Sequence, residues 1–379
     1  MSYSVQMVAA DAVSHDETDG AHAEVLVAAT WQCNLRCSYC FVENSIAPAL
    51  QPPMSPFLAR KAVDALHKGF VDCETVCIHL YGGEPLANLP ALKAMVRQAA
   101  TYSDDRLSFA ITTNGTLGTP EAVELLHEGN FQVILSIDGP AHVHDAVRRT
   151  SDGKNTHQLV LDFLDALRRN TSCSIRGSSV IRSGWSLSEA SAYLETLPLD
   201  TVKAQAVRSS PDDSHTLSET EFDAYLEDLD RIGDGVIGDI ESGNMPLDDR
   251  FSARVLQLLA GKKRRSFCGA GRTMLGINPD GSVVPCILMG KNAPSLGHID
   301  DEPEAWRKKG VEWSDAMTLQ AACSECRAVE LCRGGCPAVM PVCAESECEI
   351  TRKNCEIAMR IYRHFQHDPS KLLILAGIS

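Results

Sequence analysis

A chain of 379 residues can hold two cores, and its 44% apolar and 22% charged residues exclude a disordered or fibrous protein. With 35 basic against 50 acidic side chains the net charge is −15, which sets the chain against nucleic acid phosphates. No apolar run reaches the roughly 18 residues of a membrane helix, and no basic stretch followed by an apolar one marks export, so a cytoplasmic protein with neither a nucleic-acid nor a membrane partner is expected.

Residues 1–22 are polar and acidic and are expected to be flexible. Strands are expected at 23–30 (AEVLVAAT), 75–83 (TVCIHLYGG), 107–115 (LSFAITTNG), 131–139 (FQVILSIDG), 173–181 (CSIRGSSVI) and 201–208 (TVKAQAVR). Each is a short apolar or alternating run, and several close on turn residues. Helix signals recur between them. Ser55 followed by Pro56 reads as a cap and first turn, with Gly69 beyond the end; Thr119, Pro120 and Gly129 repeat that grammar. Asn170 stops a helix at 156–169, and Ser186 with Glu189 and Ser218 with Glu221 are capping boxes. Residues 216–265 read as a helical bridge ending in Lys262, Lys263, Arg264 and Arg265, a solvated run or a dock for an acidic peptide. From 266 to 360 cysteines, glycines and short segments dominate, with no long periodic helix before about 345, as in a small domain stapled by metal. A tail follows at 361–379.

Six strand–helix units in series imply a parallel sheet with right-handed crossovers. The expected fold is therefore α/β, a partial (βα)6 TIM-like barrel over 23–215 followed by the small cysteine-rich domain. In such a fold functional groups gather at the C-terminal ends of the strands. CNLRCSYC, YGGEP, TTNG and SIDG stand at the ends of the first four, in that order.

The 15 cysteines are unevenly placed, with three in residues 33–40 and nine from 268 to 355. In a reducing compartment such clusters bind metal rather than form disulfides. Cys33, Cys37 and Cys40 form C-x3-C-x2-C. Three thiolates on one loop can each take one iron of a cubane cluster, and the lack of a fourth local cysteine leaves one iron open to a small molecule. Tyr39 could pack beside that molecule. By spacing alone, a zinc site with a distant fourth ligand is the alternative.

The arrangement resembles the cluster motif of the radical S-adenosylmethionine (SAM) superfamily, which has the same spacing and an aromatic residue before the third cysteine. The resemblance extends to Gly82, Gly83, Glu84 and Pro85, matching the motif that receives the methionine amino group. It extends also to Thr113, Asn114, Ser136 and Asp138, near ribose and methionine, and to Arg148, toward the carboxylate, with Arg149 its competitor. It implies a [4Fe–4S] cluster that reductively cleaves SAM, and a 5′-deoxyadenosyl radical that takes a hydrogen from the substrate.

Farther on, Cys268 and Cys286 precede Cys323-x2-Cys326-x5-Cys332-x3-Cys336, and Cys355 follows. Taken alone the run could be a zinc ribbon. It resembles the SPASM extension of the same superfamily, which carries auxiliary iron–sulfur clusters. The resemblance implies one auxiliary cluster on Cys323, Cys326, Cys332 and Cys355 and another on Cys268, Cys286 and Cys336, three [4Fe–4S] clusters in all. Where some relatives have a further cysteine this chain has Met274, so the latter cluster has an open iron or a ligand from Cys343 or Cys348. Cys73, Cys77 and Cys173, in or beside apolar strands, read as buried, inert thiols.

Relatives with this domain pair mostly modify peptides or proteins. The resemblance thus implies a peptide or protein substrate and a reducing donor such as flavodoxin or ferredoxin, and a ribosomal-peptide maturase is the first expectation. Only 32 residues precede Cys33, so leader recognition is expected from a separate protein or another surface. Formylglycine formation of the anaerobic sulfatase-maturating type ranks second, because the aspartate those enzymes use as base after the cysteine matching Cys286 is Ile287 here. A non-catalytic electron-transfer scaffold is a third possibility, disfavoured by the motifs at the strand ends.

Overall fold

The structure, a computed structural model, describes residues 22–40, 42, 51–208, 213–261, 266–317, 319 and 321–378, without the side chains of 342–344. The expected flexible segment and the basic run at 262–265 lie outside the described residues, apart from His22. The chain divides into two compact units, Asp19–Ile175 with Gly269–Thr318, and Arg176–Cys268 with Leu319–Ser379.

In the first unit the strands β1 (His22–Ala28), β2 (Thr75–Tyr81), β3 (Leu107–Thr113) and β4 (Gln132–Ser136) pair in parallel in that order. Helices α1 (Pro56–Gly69), α2 (Leu89–Ala99) and α3 (Pro120–Glu128) connect them, and α4 (Ala141–Val147) and α5 (His157–Asn170) follow β4. Val25, Val27, Val76, Leu80, Ile111 and Val133 are fully buried, which is why these strands read as apolar runs. Helix starts follow the local chemistry: Ser55 accepts from the Leu58 N–H and Thr119 from the Ala122 N–H, each followed by proline.

Four elements of this unit differ from or add to the sequence reading. Strand β7 (Met274–Ile277) pairs in parallel with the other edge of β1, and β8 (Ser282–Val284) and β9 (Gly297–His298) continue antiparallel. They are too short for a period to register; the turn residues Asn278, Asp280 and Gly281 were the available signal. Helix α9 (Pro303–Ala316) is a long helix in a region expected to have none. Its pattern is blurred by Gly310, whose backbone meets that of Gly271 so closely that a Cβ there would lie 2.3 Å from the Gly271 carbonyl oxygen. Trp306 of α9 is buried against Phe70, ring centroids 6.1 Å apart.

The second unit holds the parallel pair β5 (Ile175–Ile181, from Arg176 on) and β6 (Thr201–Ala206), linked by α6 (Leu187–Leu194). Then come α7 (Glu219–Glu241), α8 (Ser252–Leu259), α10 (Val329–Cys332) and α11 (Met340–His364), the last starting before the expected 345. Gly233 lets α7 approach α11, since a Cβ there would lie 2.4 Å from Ile357, and Arg360 pairs with Asp230 and Asp234. All six expected strands form, in the α/β class expected, and the helix positions follow their caps.

The α7 cap gives a test. Glu221 accepts from the N–H of Gly184 at 2.7 Å and of Ser218 at 2.8 Å, and these bonds hold its carboxyl down to about 2 from an ordinary 4.5. A carboxyl depressed on folding stabilises above its unfolded pKa and loses that contribution as pH falls through the folded one. Urea melts of the wild type and Glu221→Gln should therefore differ by a constant margin at neutral pH, and the margin should close between about pH 4.5 and 2.

Candidate functional site

Cys33, Cys37 and Cys40 lie on the loop that leaves β1. Its backbone is held on two sides. The N–H groups of Gly83 and Glu84 donate to the carbonyls of Thr30 (3.1 Å) and Gln32 (2.8 Å). On the other side Arg36 N donates to the Arg149 carbonyl (2.8 Å) and Ser38 N to that of Val147 (3.1 Å). The Arg36 guanidinium spans the carbonyls of Cys33 (2.9 Å) and Leu35 (2.8 Å). Burial pushes the Cys33 thiol up to about 11; the Leu35 N–H, 3.4 Å from its sulfur, opposes this, while Glu84, Cys37 and Cys40 add to it. The three sulfurs thus share one electrostatic environment.

The glycines are required by that close approach. Gly82 has φ +131°, and a Cβ on Gly83 would lie 2.2 Å from the Gln32 carbonyl oxygen. Glu84 follows, 1% exposed, accepting from Leu86 N (3.0 Å), the Thr113 hydroxyl (2.7 Å) and Asn114 N (2.8 Å). Burial pushes its carboxyl up to about 6, against the lowering effect of those three donors. Pro85 opens the short helix Pro85–Asn88, and Asn88 donates to the carbonyls of Ala29 (2.9 Å) and Met54 (3.0 Å). The Asn114 amide reaches Asn34 Oδ1 at 3.1 Å and Cys33 Sγ at 3.7 Å.

A second cluster forms past β4, which ends at Ser136. Asp138 is fully buried, accepts from the Tyr39 hydroxyl at 2.5 Å and pairs with Arg148 Nε at 3.2 Å. The Arg148 guanidinium lies 5.4 Å from the Tyr39 ring centre. Burial works against that charge, but Asp138 foremost holds the Arg148 pKa above its ordinary value. Arg149 instead binds the carbonyls of Asp145 (2.7 Å) and Gly153 (3.2 Å), so Arg148 is the arginine that joins Tyr39 and Asp138. His144 and Thr156 were missed by sequence reading. Asp138 N donates to His144 Nδ1 (3.3 Å), His144 Nε2 meets the Thr156 hydroxyl (3.1 Å), and that hydroxyl donates to the Arg148 carbonyl (2.6 Å). This order makes Nε2 the protonated nitrogen of a neutral ring, and burial pushes the His144 pKa down to about 4.

Of the later cysteines, Cys286 and Ile287 belong to the first unit and pack in an apolar cluster with Leu26, Ala28, Trp31 and Val284. Met274, on β7, packs against the same cluster. In the second unit Cys326 and Cys332 pack with buried Cys355 around Ala328 and Leu331. Cys348 on α11 stands in the field of Cys323 and Cys326, the other set from the one it was expected to complete. Cys268 and Cys336 are also in this unit, and the side chain of Cys343 lies outside the described residues. Cys73 and Cys173 are buried as expected. Cys77 is only partly covered, yet burial pushes its thiol well up.

Residues 29–181 match the family model of the radical SAM superfamily, and residues 268–337 match that of SPASM, an iron–sulfur cluster-binding domain. The chain belongs to the SPASM subgroup of the radical SAM superfamily. The cysteine-type anaerobic sulfatase-maturating enzyme of Clostridium novyi (strain NT) is 24% identical over 332 residues, covering 81% of this chain and 86% of the relative. A structure of native anSMEcpe with bound AdoMet and Cp18Cys peptide superimposes with a TM-score of 0.71 at 21% identity, covering 93% of this chain and 98% of that one. Streptococcus suis SuiB bound to precursor peptide SuiA gives a TM-score of 0.60 at 16% identity, covering 86% and 74%. At such identities the structural likeness speaks for the fold.

The residues present fit the cofactors of this superfamily. Each thiolate of a cubane takes a different iron, so its sulfurs stand wider than ligands of one ion. Cys33, Cys37 and Cys40 share one loop and one electrostatic field, as three such ligands would. The Glu84 brace is testable without any cofactor. Glu84→Gln puts an amide N–H₂ among three donors, and should lower stability to urea by about 2 kcal/mol while Glu121→Gln on the surface changes it little.

Proposed function

We propose that this chain is a radical SAM enzyme acting on a peptide or protein, most closely a ribosomal-peptide maturase that makes a crosslink, thioether or related oxidation. The observation that carries the reading is the junction of the cysteine loop with Gly83, Glu84 and the Tyr39–Asp138–Arg148 cluster at the ends of successive strands. Relatives of the same subgroup are seen with peptides bound. In this reading Cys33, Cys37 and Cys40 hold the catalytic cluster. Gly82, Gly83, Glu84, Pro85, Thr113, Asn114, Ser136, Asp138 and Arg148, with Tyr39, form the wall for SAM. Bound there, the cluster and SAM would supply the radical that removes a substrate hydrogen atom.

The protein's own part is to hold and to exclude. Glu84 is engaged by three donors, so it fixes the loop from within the proposed SAM wall. Arg148, held by Asp138, presents a cation to a carboxylate. Trp31, Leu26, Ala28 and Ile287 form an apolar wall that keeps water off. The auxiliary clusters would use Cys323, Cys326, Cys332 and Cys355, and Cys268, Cys286 and Cys336, with a flavodoxin or ferredoxin as donor in the cytoplasm and a separate leader-binding protein as partner.

Formylglycine formation is the second reading, favoured by the extent of the match to a sulfatase-maturating enzyme. Ile287 counts against it: the position is buried among apolar side chains and offers no proton acceptor.

The test is anaerobic reconstitution with dithionite and SAM, which should give about 12 irons per chain and release 5′-deoxyadenosine. Cys33→Ala should retain about 8 irons and lose the nucleoside. Nucleoside from that variant would refute the catalytic assignment, and iron without nucleoside in the wild type would favour the scaffold. Incubation with a cysteine- or serine-containing sulfatase peptide, against short peptides encoded beside the gene, separates the two enzyme readings by product mass. Arg148→Met should raise the SAM requirement for nucleoside release at least about tenfold, a loss on the scale of a charge-assisted hydrogen bond, and Arg149→Met should raise it less.

A further inference from the structure

A groove over α2, between α1 and α3, takes no part in the site already described. Its volume is about 790 Å³, and all of its lining belongs to the first unit. Leu86, Leu89 and Ala94 form its apolar part, while Arg60 of α1 and Lys93 and Arg97 of α2 supply its charge. Arg97 lies four residues beyond Lys93, so the two stand on one face of α2. Glu121 is the one acid among the described lining residues, and it pairs with Lys93. Arg60 and Arg97 are exposed, and neither has a carboxylate partner among the described residues. Three cations to one acid reverse the balance of a chain with 50 acidic and 35 basic residues. Phe57, next to the lining Pro56, is 63% exposed. An exposed aromatic ring and an apolar floor bordered by charges of one sign suit the docking of a protein of the opposite sign.

One end of the groove is tied to the cysteine loop. Leu86 N donates to Glu84 (3.0 Å), Glu84 accepts from Asn114 N (2.8 Å), and the Asn114 amide lies 3.7 Å from Cys33 Sγ. Asn88 binds the same short helix to the carbonyls of Ala29, just past β1, and of Met54, two residues before Pro56. We propose that this groove docks the electron donor, an acidic protein of the flavodoxin type. The proposal rests on the radical SAM reading above, because only a reducible cluster needs such a donor. Each encounter passes one electron from the donor's reduced flavin to the cluster on Cys33, Cys37 and Cys40. The flavin is oxidised by one electron, the cluster is reduced by one, and no covalent bond forms or breaks. A substrate must bring its hydrogen atom to the strand ends, whereas an electron crosses intervening protein. A partner held outside, against the helices, is therefore suited to be the donor rather than the substrate.

The test uses reconstituted holoenzyme, a purified bacterial flavodoxin kept reduced by its reductase and NADPH, and the double variant Arg60→Glu/Arg97→Glu. Its control is Arg169→Glu/Lys371→Glu, an equal change of net charge at exposed positions on α5 and in the tail. Flavodoxin binding, read by interferometry, should weaken at least about tenfold in the double variant and little in the control. Salt should weaken binding to the wild type, and less steeply to the double variant. Nucleoside release driven by flavodoxin should need a correspondingly higher flavodoxin concentration, while release driven by dithionite keeps the wild-type rate in both variants. Equal binding by the two variants, or no flavodoxin binding to the wild type, would overturn the dock and leave the groove to an acidic peptide. Failure of dithionite to yield nucleoside from the wild type would instead refute the radical reading, and the dock with it.

Discussion

Everything at the candidate site depends on how closely two backbones approach. The segment leaving β1 and the glycine turn leaving β2 exchange hydrogen bonds at Thr30 and Gln32, over a gap that admits no Cβ at Gly83. Glu84 then extends the junction to β3 through Thr113 and Asn114, and the Asn114 amide returns to Cys33. Three strand ends are thereby tied into one frame. The cysteine loop takes its shape from these bonds and from the carbonyls of Val147 and Arg149, with Trp31 and Leu35 buried beneath it. Such a loop can hold thiolates in fixed relation only because its backbone polar groups are spoken for.

The sequence was most legible where burial is two-sided. Runs such as AEVLVAAT and FQVILSIDG stand out because Val25, Val27, Val133 and Leu135 have no exposed face to alternate with. Caps at Ser55, Thr119, Ser186 and Ser218 were equally readable, being local chemistry. The motif residues could be found but not their partners. Glu84 is named for the SAM wall by its motif, but its bonds to two backbone N–H groups and a threonine hydroxyl are seen only in the fold. His144 and Thr156 were invisible because their meaning arises only when α4 folds back behind Asp138. Strands β7 to β9 and α9 escaped for a different reason: two to four residues carry no period, and Gly310 and the tryptophans of α9 are placed by tertiary contact.

The cysteines divide along similar lines. The resemblance to the SPASM extension groups Cys326, Cys332 and Cys355 with Cys323, and packing around Ala328 and Leu331 brings the first three together. Spacing could not place Cys348, because a helix decides which of its residues share a face. On α11 Cys348 and Cys355 are seven residues apart, two turns along one side, with a rise of roughly 10 Å between them. Cys348 stands in the field of Cys323 and Cys326, while Cys355 packs with Cys326 and Cys332.

In the proposed reading, chemical selectivity turns on which side chains stand around Cys286. Around Cys286 the buried cluster is apolar: Ile287 stands there with Val284, Trp31 and Leu26, where the proposed reading of an oxidation that sheds a proton would need an acceptor. A product formed by joining two carbon or sulfur centres makes less demand on a base at that point than formylglycine does. The same apolar cluster that withholds a base also stabilises the fold, since Leu26, Ala28, Val284 and Ile287 are all buried in it.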